Sequence, residues 1–136
     1  MNYLATIFIL LATIFPQNIA AENWVEVTKS KDLETFYVDT DSLRKADGLV
    51  YFWDMADLTT PTPEGMYSEL TLRKVDCRLR RFEYVSYRVY TENMGSGEVV
   101  AFDEEDFIDE EDVKWEYASP GTIDEALLDF VCTYNN

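Results

Sequence analysis

The chain has 136 residues, of which 27 are Asp or Glu, 11 are Lys or Arg and none is His, so its formal net charge at pH 7 is −16. A charge this negative disfavours nonspecific binding to DNA, RNA or an anionic membrane surface. The absence of histidine excludes a Cys-His pair and a Ser-His-Asp triad, and it argues against a zinc site.

An apolar segment opens the chain. Residues 3–15 are almost entirely apolar, Pro16 follows, and small residues stand at Ala20 and Ala21. This order is typical of a secretory signal peptide, although the usual Lys or Arg near the start is missing. The run of about 13 residues is shorter than the roughly 20 that span a bilayer, so an uncleaved anchor is the less favoured alternative. We expect cleavage after Ala20 or Ala21 and one mature domain over residues 22–136, with no transmembrane span.

Strand patterns dominate the first two thirds of the mature part. Alternating, aromatic and branched residues predict strands, while the Pro- and Gly-containing segment 59–65 predicts a loop and 93–98 a turn. The predicted strands cover 22–30, 35–43, 49–58, 66–82 (as one bent strand or two) and 81–92, with short candidates at 99–102 and 113–117.

Strict alternation along 81–92 has a consequence for the side chains of this strand. It places Phe82 and Tyr84 on one face, and Val85, Tyr87 and Val89 on the other.

The last segment predicts a helix. Thr122 is the expected N-cap, with Glu125 as its capping-box partner. The apolar positions at helical spacing are Ile123, Ala126, Leu127, Phe130, Val131 and Tyr134. Such a stripe must be buried, and one face of the sheet is the natural surface for it, which indicates an α+β fold.

Cys77 and Cys132 are the two cysteines of the chain. The arginines that follow Cys77 would lower a thiol pKa, but a catalytic cysteine usually needs a histidine base, and none exists. In an exported small domain an even pair of cysteines usually forms a bridge. We therefore expect an intrachain disulfide, with two free thiols or an interchain bridge as alternatives. A bridge would pin the predicted helix to the strand that carries Cys77.

Six stretches, in this order, resemble the surface-adhesin protein E family of Gram-negative bacteria. They are WVEV (24–27), FYVDTDSLRKADGLVYFWDMAD (36–57), SELTLRKVDCRLRRF (68–82), YTENMGSGEV (90–99), WEYASPGT (115–122) and EALLDFVC (125–132). The resemblance implies an antiparallel sheet, here of about five to six strands, with a C-terminal helix on one face tied by a disulfide that maps onto Cys77 and Cys132. It also implies export, and some members of the family bind host matrix glycoproteins such as vitronectin and laminin.

This resemblance favours an exported, non-catalytic binding domain with a protein partner, located in the periplasm or at the outer surface of a Gram-negative bacterium. The alternative is a periplasmic, envelope-associated structural or interaction protein of the same fold without a host ligand. No cysteine stands at the cleavage site, which puts a lipid anchor in doubt. A homodimer is compatible with exposed strand edges.

Basic residues concentrate between positions 73 and 88. Strand alternation predicts that Lys74, Arg78 and Arg80 share one face, with Asp76 among them. Such a patch can bind a carboxylate- or sulfate-bearing partner, or it can neutralise the protein's own acidic groups by ion pairing. The candidate partner-binding residues are Arg73, Lys74, Arg78, Arg80, Arg81 and Arg88.

Two further groups of residues have competing interpretations. The acidic run 103–112 is expected to be a solvated loop, with weak divalent-cation binding as the alternative, since it lacks the EF-hand ligand pattern. The aromatics Trp53, Tyr51, Tyr84 and Tyr87 form either a sugar platform or cross-strand and core pairs. We predict no catalytic residue, no metal site and no cofactor.

Overall fold

The computed structural model describes residues 22–102 and 114–134. The predicted signal peptide and the acidic run 103–112 lie outside the described residues. The described strands are β1 (Trp24–Lys29), β2 (Thr35–Asp39), β3 (Arg44–Ala46), β4 (Leu49–Asp57), β5 (Ser68–Asp76), β6 (Arg81–Tyr90), β7 (Val99–Phe102) and β8 (Glu116–Tyr117). One α-helix follows, α1 (Ile123–Thr133), and short 3₁₀ turns occupy Thr40–Ser42 and Asn93–Gly95.

All strand pairs are antiparallel and belong to one sheet. The order across the sheet is β1-β2-β4-β5-β6-β7, with β3 paired to β4 and β8 paired to β6. The predicted α+β fold, an antiparallel sheet with a C-terminal helix, is therefore confirmed. The short strands β3 and β8 bring the described sheet to eight strands rather than five or six.

The helix begins where its capping residues predict. The Thr122 hydroxyl accepts a hydrogen bond from the Glu125 backbone N–H at 3.2 Å. The Glu125 carboxylate accepts one in return, but from the backbone N–H of Gly121 rather than of Thr122. Both bonds satisfy donors that would otherwise be unpaired near the first turn, which anchors the start of α1.

α1 packs on one face of the sheet, which we call the helix face. Leu127, Leu128 and Val131 of α1 are almost completely buried, and they share one apolar core with residues from four central strands. The sheet side of this core consists of Val38, Val50, Phe52, Val75 and Phe82. The other side of the sheet, which we call the far face, carries the alternate residues of the same strands, such as Tyr51 and Trp53.

The prediction for the two faces of β6 was wrong. The pairing places Arg73 opposite Tyr84 but Leu72 opposite Ser86, so Val85 is an extra residue in β6. Such a β-bulge resets the alternation of the strand. As a result Tyr87, opposite Thr71, returns to the helix face on which Tyr84 lies.

The hairpin between β3 and β4 was not predicted. Its turn consists of Asp47 and Gly48, which both have positive φ angles, 54° and 78°. An Asp-Gly pair is the usual sequence of such a two-residue turn because both positions need the left-handed conformation. The Asp-Gly dipeptide was therefore the signal that could have located this hairpin.

Candidate functional site

A disulfide joins the end of β5 to the last turn of α1. The Cys77–Cys132 bond has an S–S distance of 2.02 Å and a Cα–Cα distance of 5.8 Å, so the intrachain bridge expected from the sequence is present. Cys77 does not lie inside a strand, since β5 ends at Asp76 and β6 begins at Arg81. The bridge therefore fixes the β5–β6 turn, residues 77–80, against the helix.

Asp76, which directly precedes Cys77, ties this turn to Arg81 at its far end. Its carboxylate accepts hydrogen bonds from the backbone N–H groups of Arg78 and Leu79, each at 3.1 Å, and lies 3.3 Å from the Arg81 guanidinium. The bond from the Leu79 N–H, with the charges of Arg81 and Arg78, lowers the pKa of Asp76 below its usual range. The turn is thus fixed at both ends.

Arg73 is buried on the helix face. Its guanidinium lies 2.6 Å from Asp54 of β4 and 2.6 Å from Asp124 in the first turn of α1. Only 8% of the Arg73 side chain is exposed, and the Tyr84 ring covers it at 4.7 Å from the ring centroid. This candidate residue therefore joins two strands to the helix and offers no charge to a partner.

Lys74 and Arg81 lie together on the far face. Lys74 forms an ion pair with Glu83 of β6, and Arg81 pairs with Asp76. Both cations also lie over the Trp115 ring, at 5.1 and 4.4 Å from its centroid. These contacts attach the 114–117 segment to the sheet. Both cations therefore interact mainly with groups of the protein itself.

Arg78 and Arg80 project from the β5–β6 turn. Arg80 pairs with Asp129 of α1 at 2.8 Å and with Glu125 at 3.5 Å, while 48% of its side chain stays exposed. Arg78 is exposed, and no carboxylate in the described ranges forms an ion pair with it. Leu79, between them, is itself 37% exposed.

Arg88 lies apart from the other five cations. It is half-buried on the far face, where its guanidinium lies 5.3 Å from the centroid of the Trp53 ring. The expected single face of Lys74, Arg78 and Arg80 is therefore wrong: Lys74 belongs to a strand, and the other two belong to a turn. What remains is a small exposed surface, Arg78–Leu79–Arg80, which we call the cationic turn.

The four aromatic candidates are also divided between the faces. Trp53 and Tyr51 lie on the far face, and the Arg44 guanidinium lies 4.8 Å from the centroid of the Tyr51 ring. Tyr84 and Tyr87 lie on the helix face and are 43% and 39% exposed. These four rings therefore do not form one platform.

The sequence patterns did not single out Asp54, which the structure shows to be a buried partner of Arg73. It shares the alternation of Val50 and Phe52 in β4, so the pattern itself places a carboxylate among buried apolar residues. A carboxylate at such a position requires a cation. Burial raises the pKa of Asp54 to about 6, and the Arg73 guanidinium opposes that shift.

Residues 22–102 and 114–134 contain no group of three or more Asp, Glu or Cys side chains placed to hold a metal ion. No helix in these ranges has the length and apolar character needed to cross a bilayer.

Comparison with solved structures supports the same fold. Protein E of Haemophilus influenzae, in its crystal form II, superposes with a TM-score of 0.61 at 17% sequence identity, covering 80% of this chain and 86% of that one. The selenomethionine form of the same protein gives a TM-score of 0.59 at 16% identity, covering 79% and 84%. A search of curated protein sequences finds no match.

The family comparison covers most of the chain. The model of the family described as surface-adhesin protein E matches residues 24–133, a range that includes every described strand and the whole of α1. With both cysteines, the sheet order and the C-terminal helix in place, this chain belongs to the surface-adhesin protein E family.

Proposed function

We propose that this protein is an exported, non-catalytic binding domain that acts at the cell surface, with host matrix glycoproteins such as vitronectin or laminin as partners. The observation that carries the proposal is the family match over residues 24–133. The Cys77–Cys132 bridge supports export, because structural disulfides form and persist outside the reducing cytosol. The predicted signal peptide, residues 1–21, would supply the route.

The cationic turn is the surface that we assign to the partner. It exposes Arg78, which has no ion-pair partner in the described ranges, and Arg80, which stays 48% exposed although it pairs with Asp129 and Glu125. The other four candidates are buried, paired with carboxylates or stacked on aromatic rings. The disulfide and Asp76 hold the turn in place before binding, so little conformational entropy is lost when a partner docks. Exposed Leu79 adds apolar contact between the two charges.

The turn also offers exposed positive charge on a protein whose net charge is strongly negative. The chain carries a formal net charge of −16, so an acidic partner segment is repelled by most of the surface. Arginine forks at the turn can bind carboxylate or sulfate groups of such a segment in two-pronged geometry. We therefore expect the partner to contribute acidic groups at this contact.

The test is binding of the exported, disulfide-bonded protein to immobilised vitronectin and laminin at physiological salt. We expect saturable binding that Arg78→Glu weakens about tenfold or more, because the charge reversal sets like charges against each other. Lys45→Glu is the matched control, since Lys45 is an exposed cation of β3 in another part of the sheet.

Two results would contradict the proposal. Equal losses in Arg78→Glu and Lys45→Glu would show that only overall charge matters and would remove the assignment of the turn. No binding by folded protein, together with protection from external protease in intact cells, would favour the periplasmic alternative.

A further inference from the structure

A groove crosses the far face between the N-terminal segment and the end of β6. It has a volume of about 220 Å³ and opens to solvent. Three aromatic residues, three charged residues and one leucine line it: Trp24, Trp53, Tyr90, Glu22, Asp39, Arg88 and Leu70. Neither Arg78 nor Arg80 lines it, so it is separate from the cationic turn.

The register explains how residues from five strands meet there. Trp24 of β1 pairs with Asp39 of β2, and Leu70 of β5 pairs with Arg88 of β6. Trp53 lies in β4, between β2 and β5, and the Arg88 side chain reaches across β5 to lie over its ring. Trp53 pairs with Leu72 of β5, so Leu70 and Arg88 lie two residues further along the strands, a diagonal position that a long side chain can reach.

Hydrogen bonds fix the wall of the groove formed by the N-terminal segment. The Asp39 carboxylate accepts bonds from the backbone N–H groups of Asn23 and Asp41, at 3.0 and 3.1 Å. Thr40 donates through its backbone N–H to the Asn23 carbonyl at 3.0 Å. The Trp24 indole N–H in turn donates to the Glu22 carboxylate at 2.9 Å. Glu22 and Trp24 are thus positioned by the protein itself.

The opposite wall is closely packed as well. Leu70 is buried, and a Cβ added at Gly95 would lie only 3.0 Å from its side chain, so the 93–97 segment packs closely against Leu70. The Ser68 hydroxyl accepts a bond from the Gly95 N–H and donates one to the Glu92 carbonyl. A groove held in this way on both sides is largely pre-formed, as ligand sites usually are.

The lining determines which ligand chemistry fits. A cationic ligand would lie near the positively charged Arg88, and an anionic ligand would lie near the carboxylates of Glu22 and Asp39. A ligand of either charge would therefore be repelled by part of the lining. A neutral ligand with several hydroxyls avoids this conflict, because hydroxyls donate to carboxylates and accept from a guanidinium. Indole and phenol rings add flat apolar faces for the C–H face of a ring.

We propose that this groove binds a neutral sugar ring, one terminal residue of a glycan. The volume agrees, because it lies below the roughly 300–1,000 Å³ of clefts that enclose drug-sized ligands and so accommodates a ring-sized group. This glycan-binding role rests on the proposed function. The groove would bind the glycan of a glycoprotein while the cationic turn contacts its protein part.

The first experiment uses monosaccharides that differ in charge but share one ring. Glucose and N-acetylglucosamine are neutral, glucosamine carries an ammonium group, and glucuronate carries a carboxylate. Saturation-transfer NMR on the exported protein would report binding and the sugar protons that contact it. We expect the neutral sugars to bind best, with a dissociation constant on the order of 1 mM, as suits a ligand of ring size.

Three variants test whether the sugar binds in this groove. Trp53→Ala removes a stacking face and should weaken binding about tenfold or more. Glu22→Ala, at an exposed position that leaves the core intact, should weaken it several-fold, which keeps the test informative if Trp53→Ala fails to fold. Tyr87→Ala is the matched control, because it removes an exposed aromatic ring from the helix face and should leave binding unchanged.

Three outcomes would overturn the inference: no binding of neutral sugars, stronger binding of a charged sugar, or equal losses in Trp53→Ala and Tyr87→Ala. A second experiment separates it from the proposed function, using vitronectin and laminin stripped of their glycans. Unchanged binding to the stripped proteins would support the proposed function and overturn the glycan role. Binding of monosaccharides without binding to either glycoprotein would support the groove and overturn the proposed function.

Discussion

The two faces of the sheet are built from the same strands but have different roles. On the helix face, Val38 and Phe52 are almost completely buried beneath α1, and the charged Arg73 is enclosed with two aspartates. On the far face, Trp53 and Lys74 are only partly buried and meet cations, carboxylates and solvent. Consecutive residues of one strand can therefore belong to the stabilising core and to a recognition surface.

Arg73 and Lys74 provide the largest test of this difference, since they are neighbours on opposite faces. Arg73→Ala should lower the free energy of unfolding by about 3–5 kcal/mol, because it leaves Asp54 as an unpaired charge in the core. Lys74→Ala should cost less, about 1–2 kcal/mol, because the Lys74 side chain is 20% exposed against 8% for Arg73 and pairs with one carboxylate rather than two. Urea denaturation of the two variants would measure both. Equal losses would show that the far face encloses charge as strongly as the helix face does.

The disulfide provides a test of intermediate size. Replacing both Cys77 and Cys132 by Ala should lower the free energy of unfolding by about 2–4 kcal/mol, toward the upper end because 55 positions separate the two residues. Denaturation of the variant beside oxidised and reduced wild-type protein would measure it. The variant should lose partner binding at the cationic turn more than sugar binding in the far-face groove, since the bridge fixes only the turn. The reverse order would contradict our assignment of the two surfaces.

Asp54 and Asp76 provide the most sensitive test, because their pKa shifts have opposite signs. The pKa of Asp54 is raised from 3.8 to about 6, chiefly by burial, so the folded state holds its proton more tightly than the unfolded state. Its contribution to stability is therefore complete below pH 3.8 and is lost as the pH rises through about 6. The pKa of Asp76 is lowered, chiefly by the Leu79 N–H, so its contribution is present above pH 3.8 and is lost as the pH falls further.

The measurement is the free energy of unfolding at a series of pH values for wild-type protein, Asp54→Asn and Asp76→Asn. The difference between wild type and Asp54→Asn should fall with rising pH between 3.8 and about 6. The difference between wild type and Asp76→Asn should fall with decreasing pH below 3.8. If both differences changed with pH in the same direction, the Arg73 charge would outweigh the effect of burial on the pKa of Asp54.

Local patterns in the sequence predicted most of the elements. Alternating, aromatic and branched residues predicted β1, β2, β4, β5 and β6, and the Thr122 cap with its apolar stripe predicted α1. Alternation failed at Val85, because a bulge depends on how the partner strand pairs and not on the residues of β6 alone. The six cations were predicted as one group, but a cation's partners come from distant strands and from the helix.

The fold class, the helix with its cap, and the disulfide could be predicted from the residues alone, because periodicity, capping chemistry and a single possible intrachain cysteine pairing are local or countable properties. Which charges are available to a partner depends instead on how the chain folds. Arg73 is enclosed by Asp124, 51 positions away, while Arg78 is left exposed by a turn fixed from both ends. The tertiary structure also assembles the far-face groove from residues between Glu22 and Tyr90. The physical reason is that burial and ion pairing depend on contacts between strands, which the order of residues does not specify.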